Sequence, residues 1–155
     1  MNIGIVVYSW SGNTLSVAEK LKDRLGEAGH SVTLEQVSVV GERKQGARDF
    51  RLESKPDLTA YDAVVFGAAV EAFSLSPVMT AYLKSIDSLS GKTIGCLVTQ
   101  QFPYPWMGGN RAIGQMRRLC QAKGANVAAA GVVNWASSRR DGTTARAVDR
   151  LTSAF

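Results

Sequence analysis

An apolar run, then a turn, then a helical stripe: this order recurs along nearly the whole chain, and few folds accept it. The runs are Asn2–Tyr8, Ser31–Val40, Asp62–Val70, Lys92–Gln100 and Asn126–Trp135. Several are close to continuously apolar and rich in Val and Ile, as strands buried on both faces must be. Between them lie segments with apolar side chains three and four residues apart. Thr14–Ala28 places Val17, Ala18, Leu21, Leu25 and Ala28 on one stripe, and Gly29 fits the position just past a helix end. Ser76-Pro77 reads as an N-cap with Pro in the first turn, before Val78, Met79, Tyr82, Leu83 and Ile86. Asn110–Lys123 carries Ile113, Met116, Leu119 and Cys120 inward, and a last helix starting at Asp141 carries Val148, Leu151 and Phe155. Strands alternating with helices at this spacing predict an α/β domain with a parallel sheet and helices on both faces. At 155 residues, one domain over 1–155 with one core is expected.

The composition agrees: 45% hydrophobic and 20% charged residues are ordinary for a globular protein. No apolar run approaches the roughly 20 residues of a membrane span. The N-terminus reads as a strand and not as a signal peptide, and Cys96 and Cys120 read as reduced core residues, so a cytoplasmic location is expected. His30, the only histidine, reads as a surface linker residue. Charge is uneven. Residues 1–92 are nearly balanced, whereas residues 93–155 hold eight basic and two acidic side chains. That is a solvated basic face or an attraction to an acidic partner; no nucleic-acid module accompanies it. Residues 41–60 are the least readable segment, broken by Gly41, Gly46 and Pro56 and crowded with Arg and Lys, consistent with a short helix or a long surface connection.

Function is concentrated in the loop after the first run, Tyr8-Ser9-Trp10-Ser11-Gly12-Asn13-Thr14. A hydroxyl-rich turn that leaves a strand and enters a helix makes an anion site, because unpaired N–H groups and the helix dipole converge there. Ser9, Ser11, Asn13 and Thr14 add short donors, and Gly12 lets the backbone take a positive φ. The same residues would also serve as an ordinary cap and turn. With no Lys and a single Gly, the loop is neither a Walker loop nor a dinucleotide fingerprint. Five strands and this first loop predict a three-layer, doubly wound five-stranded parallel sheet of order 2-1-3-4-5. Loops 9–14, 67–76 and 99–109 then meet at the carboxyl ends of the strands, where the order reverses.

Hydroxyl-x-hydroxyl-Gly-Asn-Thr at a strand-to-helix turn resembles the phosphate loop of flavodoxins. The resemblance extends over the whole chain in element order, in the short form of that family. It implies FMN as cofactor. Ser9, Ser11, Gly12, Asn13 and Thr14 would then grip the phosphate, with Trp10 on the rim. Loops 67–76 and 99–109 would flank the flavin ring: Phe102, Tyr104 and Trp106 on one side, Phe73 or Ala69 on the other. Ala68, Thr99, Gln100, Gly108 and Gly109 complete the expected site. Two features depart from the electron-carrying members: the chain is basic, and 68–75 contains no Gly where those proteins often have one. Glu71 is the sole carboxylate of the second loop, and no Cys/His/Asp cluster has metal-ligand spacing, so the chemistry expected is the flavin's own. The resemblance implies electron transfer to a redox partner protein, acidic if the basic third of the chain docks it. The alternative is an FMN-dependent NAD(P)H:quinone-type oxidoreductase, in which Arg111, Arg139 or Arg140 would meet an anionic cosubstrate. A flavin-free module binding another anion is a third reading.

Overall fold

The computed structural model describes residues 1–102 and 107–155. Its strands are β1 (Asn2–Val7), β2 (Ser31–Gln36), β3 (Ser38–Val39), β4 (Leu52–Ser54), β5 (Ala63–Glu71), β6 (Ser74–Leu75), β7 (Thr93–Gln100) and β8 (Asn126–Asn134). The helices are α1 (Asn13–Glu27), α2 (Pro77–Ser85), α3 (Gly109–Ala122) and α4 (Arg140–Ser153). The main sheet runs β2-β1-β5-β7-β8, all parallel, which is the doubly wound order expected.

Alternation along the strands builds two cores. Ile3, Ile5, Val7, Val65, Leu97 and Val133 face Val17, Leu21, Leu25, Val148 and Leu151 of α1 and α4. Val6, Val64, Phe66, Cys96 and Val98 face Val78, Met79, Tyr82, Met116 and Cys120 of α2 and α3. Each fully buried aliphatic or aromatic side chain contributes about 1.5–3 kcal/mol, so these two layers are the principal stabilisers of the sheet. Cys96 and Cys120 are free thiols inside the second layer. Their mutual hydrogen bond and burial push the Cys120 thiol upward.

Four expectations change. The second strand ends at Gln36, not Val40. Val37 still donates to the Val7 carbonyl (2.8 Å), but the chain then turns away, and Ser38–Val39 pairs antiparallel with Leu52–Ser54. The unreadable segment is thus a loop closed by a small two-stranded sheet. Ala28 lies exposed beyond the last turn of α1, so the stripe ends at Leu25. The strand after Asp62 runs to Glu71 and folds back at once into β6, leaving a two-residue hairpin within the loop expected over 67–76.

Ser76, finally, is the N-cap of α2, and Pro77 sits in its first turn, but Ser76 makes no side-chain cap bond. Its Oγ is buried with no hydrogen-bond partner among the described residues. Removing a cap normally costs about 1 kcal/mol. Here Ser76→Ala removes an unsatisfied hydroxyl instead, so its melting temperature is expected to equal or slightly exceed that of the parent. A clear drop in thermal denaturation would show that the hydroxyl does cap.

Candidate functional site

Strand register brings the loops together. Val7 lies beside Gly67, Ala69 beside Thr99, and Gln100 beside Asn134, so β1, β5, β7 and β8 end at one rim. The order reverses at β1, whose two neighbours are β2 and β5, and the first loop leaves from that point.

Within this loop, Gly12 takes φ 93°, a left-handed conformation that opens α1 and favours glycine. Ser9 Oγ accepts from the N–H groups of Gly12 (3.0 Å) and Leu15 (3.2 Å). The Ser9 hydroxyl therefore shapes the loop from inside. The N–H groups of Ser11, Asn13 and Thr14 have no partner among the described residues. Three unpaired donors at a helix start, with no carboxylate in the first turn, form an arrangement that fits a phosphate monoester. Trp10 is on the rim: the residue is 49% exposed, and its indole N–H donates to the Arg43 carbonyl at 2.9 Å.

Thr14 and Thr99 are both buried, and their hydroxyls bond each other at 2.8 Å. That bond ties the first loop to the end of β7, so these two side chains join the loops. Gly67 makes the junction possible, since a Cβ there would lie 2.8 Å from Val7 Cγ1 and 3.3 Å from Thr14 Cγ2. Gln100 is likewise buried. Its Nε2 donates to the Phe102 carbonyl (2.9 Å) and to Asn134 Oδ1 (2.8 Å), so it ties the start of the third loop to β8. Ala68 is a core residue of β5, packed with Phe66 and Val98, and Ala69 holds the hairpin by accepting from the Ser76 N–H.

The hairpin is bent by two non-glycine residues with positive φ, Ala72 (49°) and Phe73 (62°). Two-residue hairpins need this shape, and Asn-Gly supplies it cheaply. An L side chain in it costs on the order of 1–3 kcal/mol. Ala72→Gly is accordingly expected to raise stability by about 1 kcal/mol, read as a higher denaturant midpoint at constant slope. A lower midpoint would contradict the strain. What the bend achieves is to present Phe73. The residue is 54% exposed, and its ring stacks on Phe102, with centroids 5.3 Å apart and planes within 5°. Gly108 closes the third loop onto the same hairpin: a Cβ there would lie 2.9 Å from Val70 Cγ1 and 3.2 Å from Phe73 Cα. Gly109 is pressed equally closely against Gln100 and Val132. Both glycines are close-approach positions. A pocket of about 320 Å³ lined by Phe73, Met107, Gly108 and Arg111 opens here. Tyr104 and Trp106 lie outside the described residues.

The sequence reading overlooked an ion pair beneath this rim. Arg43 Nη2 lies 2.7 Å from Glu71 Oε1, with side chains 2% and 1% exposed. Arg43 also donates to Tyr8 Oη (3.3 Å) and the Ala47 carbonyl (2.9 Å), and its guanidinium lies over the Tyr8 and Phe50 rings. Glu71 accepts a further bond from the Gly46 N–H at 2.6 Å. Burial alone would lower the Arg43 pKa, but the hydrogen bonds to Glu71 and Tyr8 outweigh it and hold the guanidinium above its ordinary value. Glu71, noted in the sequence as a lone carboxylate among apolar neighbours, was the available signal.

No family model and no curated protein sequence matches the chain. Solved structures do. A flavodoxin from Streptococcus pneumoniae TIGR4 superposes with a TM-score of 0.71 at 18% identity, covering 100% of both chains. Flavodoxin 2 from Bacillus cereus gives 0.70 at 19% identity, again over 100% of both. A flavoprotein in complex with FMN from Lactobacillus acidophilus NCFM gives 0.65 at 16% identity, covering 94% of this chain and 97% of that one. The fold of this chain is the flavodoxin fold.

Proposed function

We propose that this protein binds FMN at the rim formed by β1, β5 and β7 and acts in electron transfer. The observation that carries the reading is the first loop, where unpaired N–H groups of Ser11, Asn13 and Thr14 open α1 beside a left-handed Gly12. A likeness in fold to a flavoprotein that is in complex with FMN supports it. The phosphate would be held by these neutral donors. Phe73 and Phe102 would flank the ring, exchanging their mutual stacking for stacking on it; each such contact is worth about 0.5–1.5 kcal/mol beyond burial. When bound, FMN supplies one- and two-electron chemistry at its ring. The chain supplies position: the Thr14–Thr99 bond fixes the phosphate loop against β7, and the Arg43–Glu71 pair anchors the wall behind Trp10. Among the described residues, no acid or base stands in the site to move a proton; Glu71 is committed to Arg43 and Gly46.

Arg111 beside Phe73 in the 320 Å³ pocket favours a second reading, in which NAD(P)H donates hydride and a quinone-type acceptor receives it. The two readings separate in one experiment. FMN-loaded protein is reduced photochemically and mixed with an oxidised acidic iron–sulfur protein, and separately assayed for NADPH oxidation with a soluble quinone. Rapid reoxidation by the protein acceptor with negligible NADPH turnover is expected. Sustained NADPH turnover would transfer the assignment to the oxidoreductase.

A further inference from the structure

Away from the flavin rim, a groove of about 840 Å³ follows β8 between α3 and α4. Among the described residues β8 pairs with β7 alone, at the edge of the sheet. Two outward backbone groups of this edge are engaged: the Ala130 carbonyl accepts from Arg150 (3.5 Å), and the Asn134 N–H meets Thr143 Oγ1 (3.4 Å). The two-residue period of a strand places the N–H and C=O of Val132 on the same outward side. Exposed edges of this kind are templates for a further strand.

The groove is also electropositive. Arg139, Arg146 and Arg150 line it, all exposed, and no Asp or Glu is among its described lining residues. None of the three has a salt-bridge partner among the described residues; Asp149 is taken by Arg24. Arg146 and Arg150 lie one helical turn apart, a like-charge spacing that disfavours the helix until an anion arrives. Ile113 of α3 gives the opposite wall an apolar patch.

We infer that this groove docks an extended acidic segment of a partner protein, added as a strand to the open edge of β8. Main-chain bonds to Val132 set its register. Its alternate side chains are acidic toward Arg146 and Arg150 and small and apolar toward Ile113, because successive side chains of a strand point to opposite faces. The inference does not rest on flavin binding.

The probe is an acetylated peptide of alternating Glu and Val, titrated into the intact protein and followed by amide NMR. Shifts centred on Ala130, Val132 and Asn134 are expected. A Lys-Val peptide and a Glu-Val peptide interrupted by Pro, which lacks the N–H to extend the ladder, should not produce them. The R146E/R150E double variant should weaken binding by about ten-fold or more, while its dispersed amide spectrum shows that it remains folded; R146Q/R150Q should give an intermediate loss. Four results would overturn the inference: no shifts, shifts away from β8, equal binding of the Pro-interrupted peptide (charge attraction without strand addition), or a stable dimer of this chain already occupying the edge in sedimentation.

Discussion

Glu71→Ala is expected to be the most destabilising single change near the site, by about 3–5 kcal/mol. It leaves the Arg43 guanidinium buried with only Tyr8 and the Ala47 carbonyl, and strips the Gly46 N–H of its acceptor. For a chain of this size that corresponds to a fall in melting temperature of roughly 10 °C. The pair itself need not be a large net stabiliser, since desolvating two charges consumes most of their attraction; the penalty lies in orphaning one of them. A double replacement, Arg43→Met with Glu71→Leu, should therefore recover most of the loss. Were Glu71→Ala nearly neutral, segment 41–50 would have to release Arg43 to solvent, and faster hydrogen exchange there would reveal it. In that case Trp10 loses its anchor on the Arg43 carbonyl as well.

The second large effect is on binding. Ser11 is exposed, and its N–H is one of the unpaired donors. Ser11→Glu puts a negative charge at the mouth of the phosphate loop without disturbing any buried contact. Like charges about 4 Å apart repel by about 4 kcal/mol at an effective dielectric of about 20. Allowing for partial solvent screening at this exposed position, FMN affinity should fall by about a hundred-fold. Riboflavin, which lacks the phosphate, should bind the variant as it binds the parent. Equal loss for both flavins in a fluorescence titration would mean that the introduced carboxylate distorts the ring site, and no loss for either would mean that the phosphate sits elsewhere.

Why these residues matter was only partly written in the sequence. The parallel sheet was legible because buried strands need continuous apolar runs, and Asn2–Val7 and Thr93–Gln100 have them. Loop 9–14 was legible because a Gly and hydroxyls between a strand and a helix have a local geometric meaning. The rest depends on partners far apart in the chain. Arg43 was one of several cations crowding residues 41–60, and nothing set it apart because Glu71, its counter-charge, lies 28 residues on. The bond from Gln100 to Asn134, 34 residues away, was equally invisible in the sequence. The hairpin at 72–73 carries neither Gly nor Asn, so its turn had no sequence signal; the surrounding pairing of Val70 with Leu75 and the pressure of Gly108 impose it. The bond between Thr14 and Thr99 had no sequence signal either, because nothing local shows that two hydroxyls 85 residues apart will meet.

Binding of a phosphorylated flavin at loop 9–14 is the claim on which the functional reading depends. Titrating the flavin-free protein with FMN and then with riboflavin, each followed by fluorescence quenching, measures it directly. FMN is expected to bind at least about a hundred-fold more tightly, a difference of about 2.7 kcal/mol supplied by the phosphate contacts. Equal affinities would remove the phosphate from that loop, and absence of binding by either flavin would leave the flavodoxin fold standing with a different ligand in its rim.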